Sequence, residues 1–108
     1  MTVSEFAAQQ HLEIAVAGDV SRPITGGYCG DLLSWVMSRA QSGDCWFTVM
    51  GNVNAIAVSV LAVCACLVLC ENAGLDEAAA EKAAQQGVTV LKTQATAFTL
   101  AAALAAAL

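Results

Sequence analysis

The residues best suited to chemistry lie in one stretch, Arg22-Pro-Ile-Thr-Gly-Gly-Tyr28. Thr25, Gly26 and Gly27 offer backbone amides with little side chain in the way. A helix start is expected about four residues on, and that pairing can cradle a phosphate. Arg22 can grip an anion with two parallel hydrogen bonds. Two plainer roles stand beside these: glycines that let a loop turn under a helix, and an arginine in a structural ion pair with a nearby acid. The stretch is not a P-loop, because no G-x4-G-K-[ST] string is present.

The cysteines Cys29, Cys45, Cys64, Cys66 and Cys70 are the other reactive group. The last three read C-x-C-x3-C inside an apolar run, not as paired C-x2-C knuckles, and the lone His11 is far away in sequence. They read as buried thiols packing as small hydrophobes, and no metal site is expected. An odd number of cysteines and a start without a signal-peptide pattern point to reduced thiols and a cytoplasmic location. Ser34, Ser38 and Ser59 have no base nearby in sequence, and the acids are scattered rather than paired. The expectation is a chain that is not an enzyme and carries no cofactor.

Composition narrows the class. The chain has 108 residues, 58% hydrophobic and 12% charged, against averages of about 45–50% and about 25%. That excludes wholesale disorder and suits one domain spanning residues 1–108. A net charge of −5 without a Lys/Arg cluster excludes non-specific binding to nucleic acid or anionic lipid. Residues 45–70 and 93–108 are free of charge, which raises the membrane question. Gly51, Asn52 and Asn54 interrupt the first run, and its remainder, residues 55–70, is shorter than the roughly 20 apolar residues a span needs. No membrane segment is expected.

The elements that must position these residues follow from periodicity. Helices are predicted over 2–10, 32–41, 52–63, 76–86 and 95–108, with Thr2 or Ser4, Asp31, Asn52 and Asp76 as N-caps. Strands are predicted over 12–16, 22–28, 45–50, 66–70 and 88–92. Cys66-Leu-Val-Leu-Cys70 is the continuous apolar run of a central parallel strand. Strands alternating with helices imply a three-layer α/β/α sandwich on a mostly parallel sheet of about five strands. The expected core is Leu12, Ile14, Leu33, Val36, Met37, Phe47, Val49, Ile56, Val60, Leu61, Leu67, Leu69, Val90 and Phe98. The 52–63 helix, apolar nearly all round, is expected to be covered on two sides.

R-x-x-T-G-G-Y followed by Asp31-Leu-Leu-Ser-Trp-Val-Met37, with the downstream Gly51-Asn52-x-Asn54 turn, resembles the DRTGG domain family. The resemblance spans essentially the whole chain; Ser21 stands where the motif's name implies Asp, and Pro23 also departs from it. The fold so implied is similar to that of the N-terminal domain of HPr kinase/phosphorylase, whose chemistry belongs to a separate P-loop domain. Family members occur fused to CBS domains in some pyrophosphatases. Small stand-alone relatives are encoded beside iron-only hydrogenases and signalling kinases.

The resemblance implies a non-catalytic regulatory module that binds a small anionic ligand, a nucleotide or a phosphometabolite. The alternative is an interaction or accessory protein for a redox or signalling partner. Ligands of open α/β sheets sit beyond the carboxyl ends of the strands, which here carry Gly51, Asn52, Asn54, Glu71 and Thr93. The candidate ligand-binding residues are Arg22, Thr25, Gly26, Gly27 and Asn52. A homodimer is expected through the 53–63 helix or the terminal helix, whose Phe98, Leu100, Leu104 and Leu108 sit in an alanine background.

Overall fold

A computed structural model describes residues 1–108. The elements are α1 (Val3–Gln10), β1 (Glu13–Val16), β2 (Gly26–Cys29), α2 (Leu33–Arg39), β3 (Asp44–Thr48), α3 (Val53–Leu61), β4 (Cys66–Leu69), α4 (Glu77–Gln86), β5 (Val90–Lys92) and α5 (Ala97–Ala107). The strands form one sheet in the order β1-β5-β4-β3-β2. Strands β2 to β5 are parallel, and β1 pairs antiparallel with β5. The predicted α/β architecture is the one observed.

The strand order dictates the layers. From β2 to β5 the chain advances in one direction, and right-handed crossovers then place every connecting helix on the same face. That face packs Val36, Ile56, Ala79 and Ala83 from α2, α3 and α4 against Trp46, Leu67, Leu69 and Val90. The other face is covered by the chain ends. Phe6 of α1 and Leu100 and Leu104 of α5 pack there against Cys45, Phe47, Cys66, Val68 and Leu91. Alternate residues of β3 and β4 serve opposite faces, so every residue of both strands is buried.

Local chemistry starts and stops the helices. The Thr2 hydroxyl accepts from Glu5 N–H at 3.2 Å, and Thr2 N–H donates to Glu5 Oε1 at 2.9 Å. This capping box holds the Glu5 carboxyl below its ordinary pKa. His11 in the left-handed region and Gly87 at φ +71° end α1 and α4. Asn52 Oδ1 accepts from Ala55 N–H at 2.8 Å and caps α3, as expected.

Other expectations are corrected. Asp31 does not cap α2. Its Oδ1 accepts from Thr48 Oγ1 at 2.7 Å and Val49 N–H at 3.0 Å, and Leu32 is the cap residue. Asp76 stands at the start of α4 without a side-chain cap bond. The second strand is only Gly26–Cys29, and α5 begins at Ala97. Ile14, Met37, Val49, Val60, Leu61 and Phe98 are exposed rather than core. Helix α3 meets the sheet on one side only, which leaves Leu61 66% exposed. Leu104, offered as an interface residue, is 2% exposed and packs on the sheet.

Four of the five cysteines are buried and one, Cys29, is exposed. Cys45 and Cys66 are cross-strand neighbours with their sulfurs 3.5 Å apart. Burial pushes the Cys64 and Cys70 thiols up to about 11 from 9.0. The native state therefore keeps protons that the unfolded chain releases. Stability is whole below pH 9.0 and falls as the pH rises from there toward about 11. Urea unfolding midpoints at neutral and alkaline pH read this decline. Replacing Cys64 and Cys70 with alanine should reduce it but not abolish it, because burial also pushes up the Cys45 thiol.

Candidate functional site

The Arg22–Gly27 stretch crosses the amino end of the sheet. Its entry is tied to the chain start: Val3 N–H donates to Arg22 O at 3.0 Å and Ile24 N–H to Met1 O at 2.8 Å. The Arg22 guanidinium reaches the loop between α3 and β4. It donates to Cys64 O at 3.0 Å and to Val63 O at 2.7 Å, with a longer contact to Ser42 Oγ at 3.4 Å. That loop needs support, because Val63 has φ +58°, a conformation a β-branched residue rarely adopts.

Thr25 N–H donates to Gly43 O at 3.0 Å. Gly26 and Gly27 pair with Asp44 and Cys45 at the start of β3. A Cβ on Gly26 would stand 2.7 Å from Asp44 Oδ1, whereas one on Gly27 would meet only ordinary contacts from 3.4 Å outward. The buried Asp44 carboxylate meanwhile accepts from Gln41 N–H at 2.8 Å. Gly26→Ala is therefore expected to cost about 1–2 kcal/mol by disturbing that bond, and Gly27→Ala under about 0.5 kcal/mol. Thermal unfolding of the two variants checks the contrast.

Asn52 lies at the other end. Gly26 pairs with the first residue of β3 and Asn52 follows its last, so the two are separated by the length of a parallel strand, more than about 13 Å. The structure thus groups Arg22, Thr25, Gly26 and Gly27 and holds Asn52 apart.

The carboxyl ends of the strands carry two neighbouring cavities. One, of about 270 Å³, lies over β2, β3 and β4 between Cys29, Asp31, Thr48 and Glu71. The other, of about 380 Å³, lies over β4, β5 and the start of β1, and its polar lining includes His11, Glu13, Asn72, Lys92, Thr93 and Gln94. A smaller cavity of about 180 Å³ sits at the amino end beside Arg22. Glu71 and Thr93 mark this rim in the sequence. His11 and Glu13 do not, because only the antiparallel pairing of β1 with β5 brings them there. Glu13 and Lys92 become register partners only in the folded sheet. No three His, Cys, Asp or Glu side chains are grouped to hold a metal ion, and no helix is long and apolar enough to cross a membrane.

No family model matches the chain, and no curated protein matches it. A solved structure does. It is the CBS and DRTGG domains of the regulatory region of Clostridium perfringens pyrophosphatase, complexed with an activator, diadenosine tetraphosphate. The TM-score is 0.73 at 12% identity, over 94% of this chain and 44% of that one. The present chain thus spans less than half the length of that structure, and the likeness between the two is one of fold.

Proposed function

We propose that this chain is a DRTGG-type regulatory module, without catalytic activity, that binds a small anionic ligand. The observation that carries the reading is the fold shared with a pyrophosphatase regulatory region, across nearly the whole of this chain. The R-x-x-T-G-G-Y motif supports it. In this reading Arg22, Thr25 and Gly26 hold the amino end of the sheet together rather than contact the ligand, because their polar groups and close contacts are already engaged there. Asn52 caps α3. The test is a thermal-shift screen of nucleotides and phosphometabolites. A ligand at 100 times its Kd stabilises the fold by about 2.7 kcal/mol. Absence of a shift with every compound rejects ligand binding.

A second reading, an interaction module that pairs with another copy or a partner protein, is favoured by a distinct observation. Phe98 is 83% exposed at the start of α5, and Leu108 is exposed at its end. The neighbouring β2 is an edge strand with no charged residue. Covering this surface by a two-fold copy gives a mass near twice 11.0 kDa in light scattering. Phe98→Glu should return the chain to monomer with its circular dichroism spectrum unchanged, since Phe98 is not part of the core. A wild-type mass near 11.0 kDa at micromolar concentration rejects self-association.

A further inference from the structure

The chain has four Lys and Arg residues and one His. Arg22 is engaged with carbonyl oxygens, and Arg39 lies over the Trp35 ring at 3.5 Å. Lys82 lines a shallow, mostly apolar pocket on α4. The remaining two basic side chains, His11 and Lys92, are 81 residues apart in sequence, yet both line the cavity of about 380 Å³ at the carboxyl ends of β4 and β5. In a chain of net charge −5 with four Lys and Arg residues, the cavity brings together one cation, Lys92, and the sole imidazole, His11, beside the Glu13 carboxylate.

The cavity is built from a braced backbone. Asn72 N–H donates to Thr93 O and Glu71 N–H to Ala95 O, both at 2.9 Å. Thr93 N–H donates to Leu69 O at 3.0 Å, and Thr93 Oγ1 accepts from Ala95 N–H at 3.0 Å. Three of the four non-glycine residues with positive φ, His11, Glu71 and Asn72, stand at or beside it. These bonds fix the walls, while the side chains of His11, Asn72, Lys92 and Gln94 have no hydrogen-bond partner within the chain and are free to meet a ligand.

We propose that this cavity binds a small phosphorylated polyol, a sugar phosphate by class, with Lys92 and His11 on the phosphate and Glu13, Asn72 and Gln94 on hydroxyl groups. The proposal rests on the ligand-binding reading above and names its site and ligand class. The lining decides the class. Glu13 faces Lys92 across the β1–β5 register and repels a bare anion, but it accepts a hydrogen bond from a hydroxyl. The lining contains one hydrophobic residue, Ala95, and no Phe, Tyr or Trp on which a nucleobase could stack, and its one ring, the His11 imidazole, is committed to the phosphate. Donors and acceptors on both sides suit a ligand with a phosphate at one end and hydroxyls along the rest.

The test is amide NMR of the full chain titrated with ribose 5-phosphate, inorganic phosphate and adenosine monophosphate, each to about 10 mM to reach millimolar Kd values. Ribose 5-phosphate should shift resonances of residues 11–13, 71–73 and 92–95. It should bind more tightly than inorganic phosphate and at least as tightly as adenosine monophosphate. Lys92→Ala and Gln94→Ala should each weaken it about tenfold or more while leaving the thermal unfolding temperature unchanged, as expected of partly or fully exposed groups. Shifts centred on residues 22–27 would overturn this site and leave the ligand-binding reading standing. Tighter binding of adenosine monophosphate would overturn the ligand class. No shift with any probe would overturn the site and, together with a blank thermal-shift screen, the reading beneath it.

Discussion

Trp46→Ala lowers the unfolding free energy by about 3–5 kcal/mol, the range for removing a buried aromatic residue from a core. Trp46 is the largest fully buried side chain. It stands on β3, packed among Val36, Ile56 and Leu67 on the face covered by α2, α3 and α4. Its indole N–H also donates to Gly30 O at 2.8 Å, which ties the end of β2 to the layer beneath α2. The substitution leaves a cavity and removes the partner of that carbonyl. Domains of this size hold about 5–15 kcal/mol in all. The unfolding temperature should fall by about 12–40 °C, at roughly 4–8 °C per kcal/mol. Trp46→Phe keeps most of the volume and loses the hydrogen bond, at about 1–2 kcal/mol. Urea unfolding of both variants reads the difference, and equal losses would show that the hydrogen bond, not the volume, carries the effect.

Arg22→Ala is the second large loss, expected at about 2–4 kcal/mol. Two charge-assisted hydrogen bonds, to Val63 O and Cys64 O, disappear together. The loop they support contains Val63 at φ +58°, so its strain then lacks compensation. Arg22→Lys should rescue little, because an ammonium on a flexible stem does not reproduce the planar fork that spans two carbonyls. Val63→Gly in the Arg22→Ala background should recover about 1 kcal/mol by relieving the strain. The ligand-induced thermal shift should survive in Arg22→Ala. A variant of full stability that has lost the ligand shift would return Arg22 to the binding site and overturn its structural role.

Much of the architecture was legible locally. The Asn52 cap, a cap at Thr2 or Ser4 and the glycine stop at Gly87 are short-range hydrogen-bonding or φ requirements that a sequence states directly, whereas the capping box that selects Thr2 with Glu5 appears only in the structure. The unbroken apolar run Cys66–Leu69 marked a central strand because parallel strands are covered on both faces. The exposed faces were harder. Leu61 and Phe98 look like core residues by type and spacing, and Leu104 looks like a surface residue on an alanine helix. Which side of α3 or α5 meets the sheet depends on where the helix lies across it, and a helix apolar all round gives no cue.

The same division runs through the candidate sites. Composition, charge and strand–helix alternation were enough to point to a mostly parallel α/β fold and to argue against nucleic acid as a partner, while the motif put Arg22, Thr25, Gly26 and Gly27 together with Asn52 in one candidate site. Only the tertiary structure decided what those residues touch. Arg22 meets carbonyls 41 and 42 residues away, and Gly26 makes room for Asp44. It also set Asn52 at the opposite end of the sheet and, through the antiparallel β1–β5 pairing, brought His11 and Glu13 to Lys92. The physical reason is range. Helix caps and hydrophobic periods act over a few residues, whereas strand order and register join residues that the chain keeps far apart.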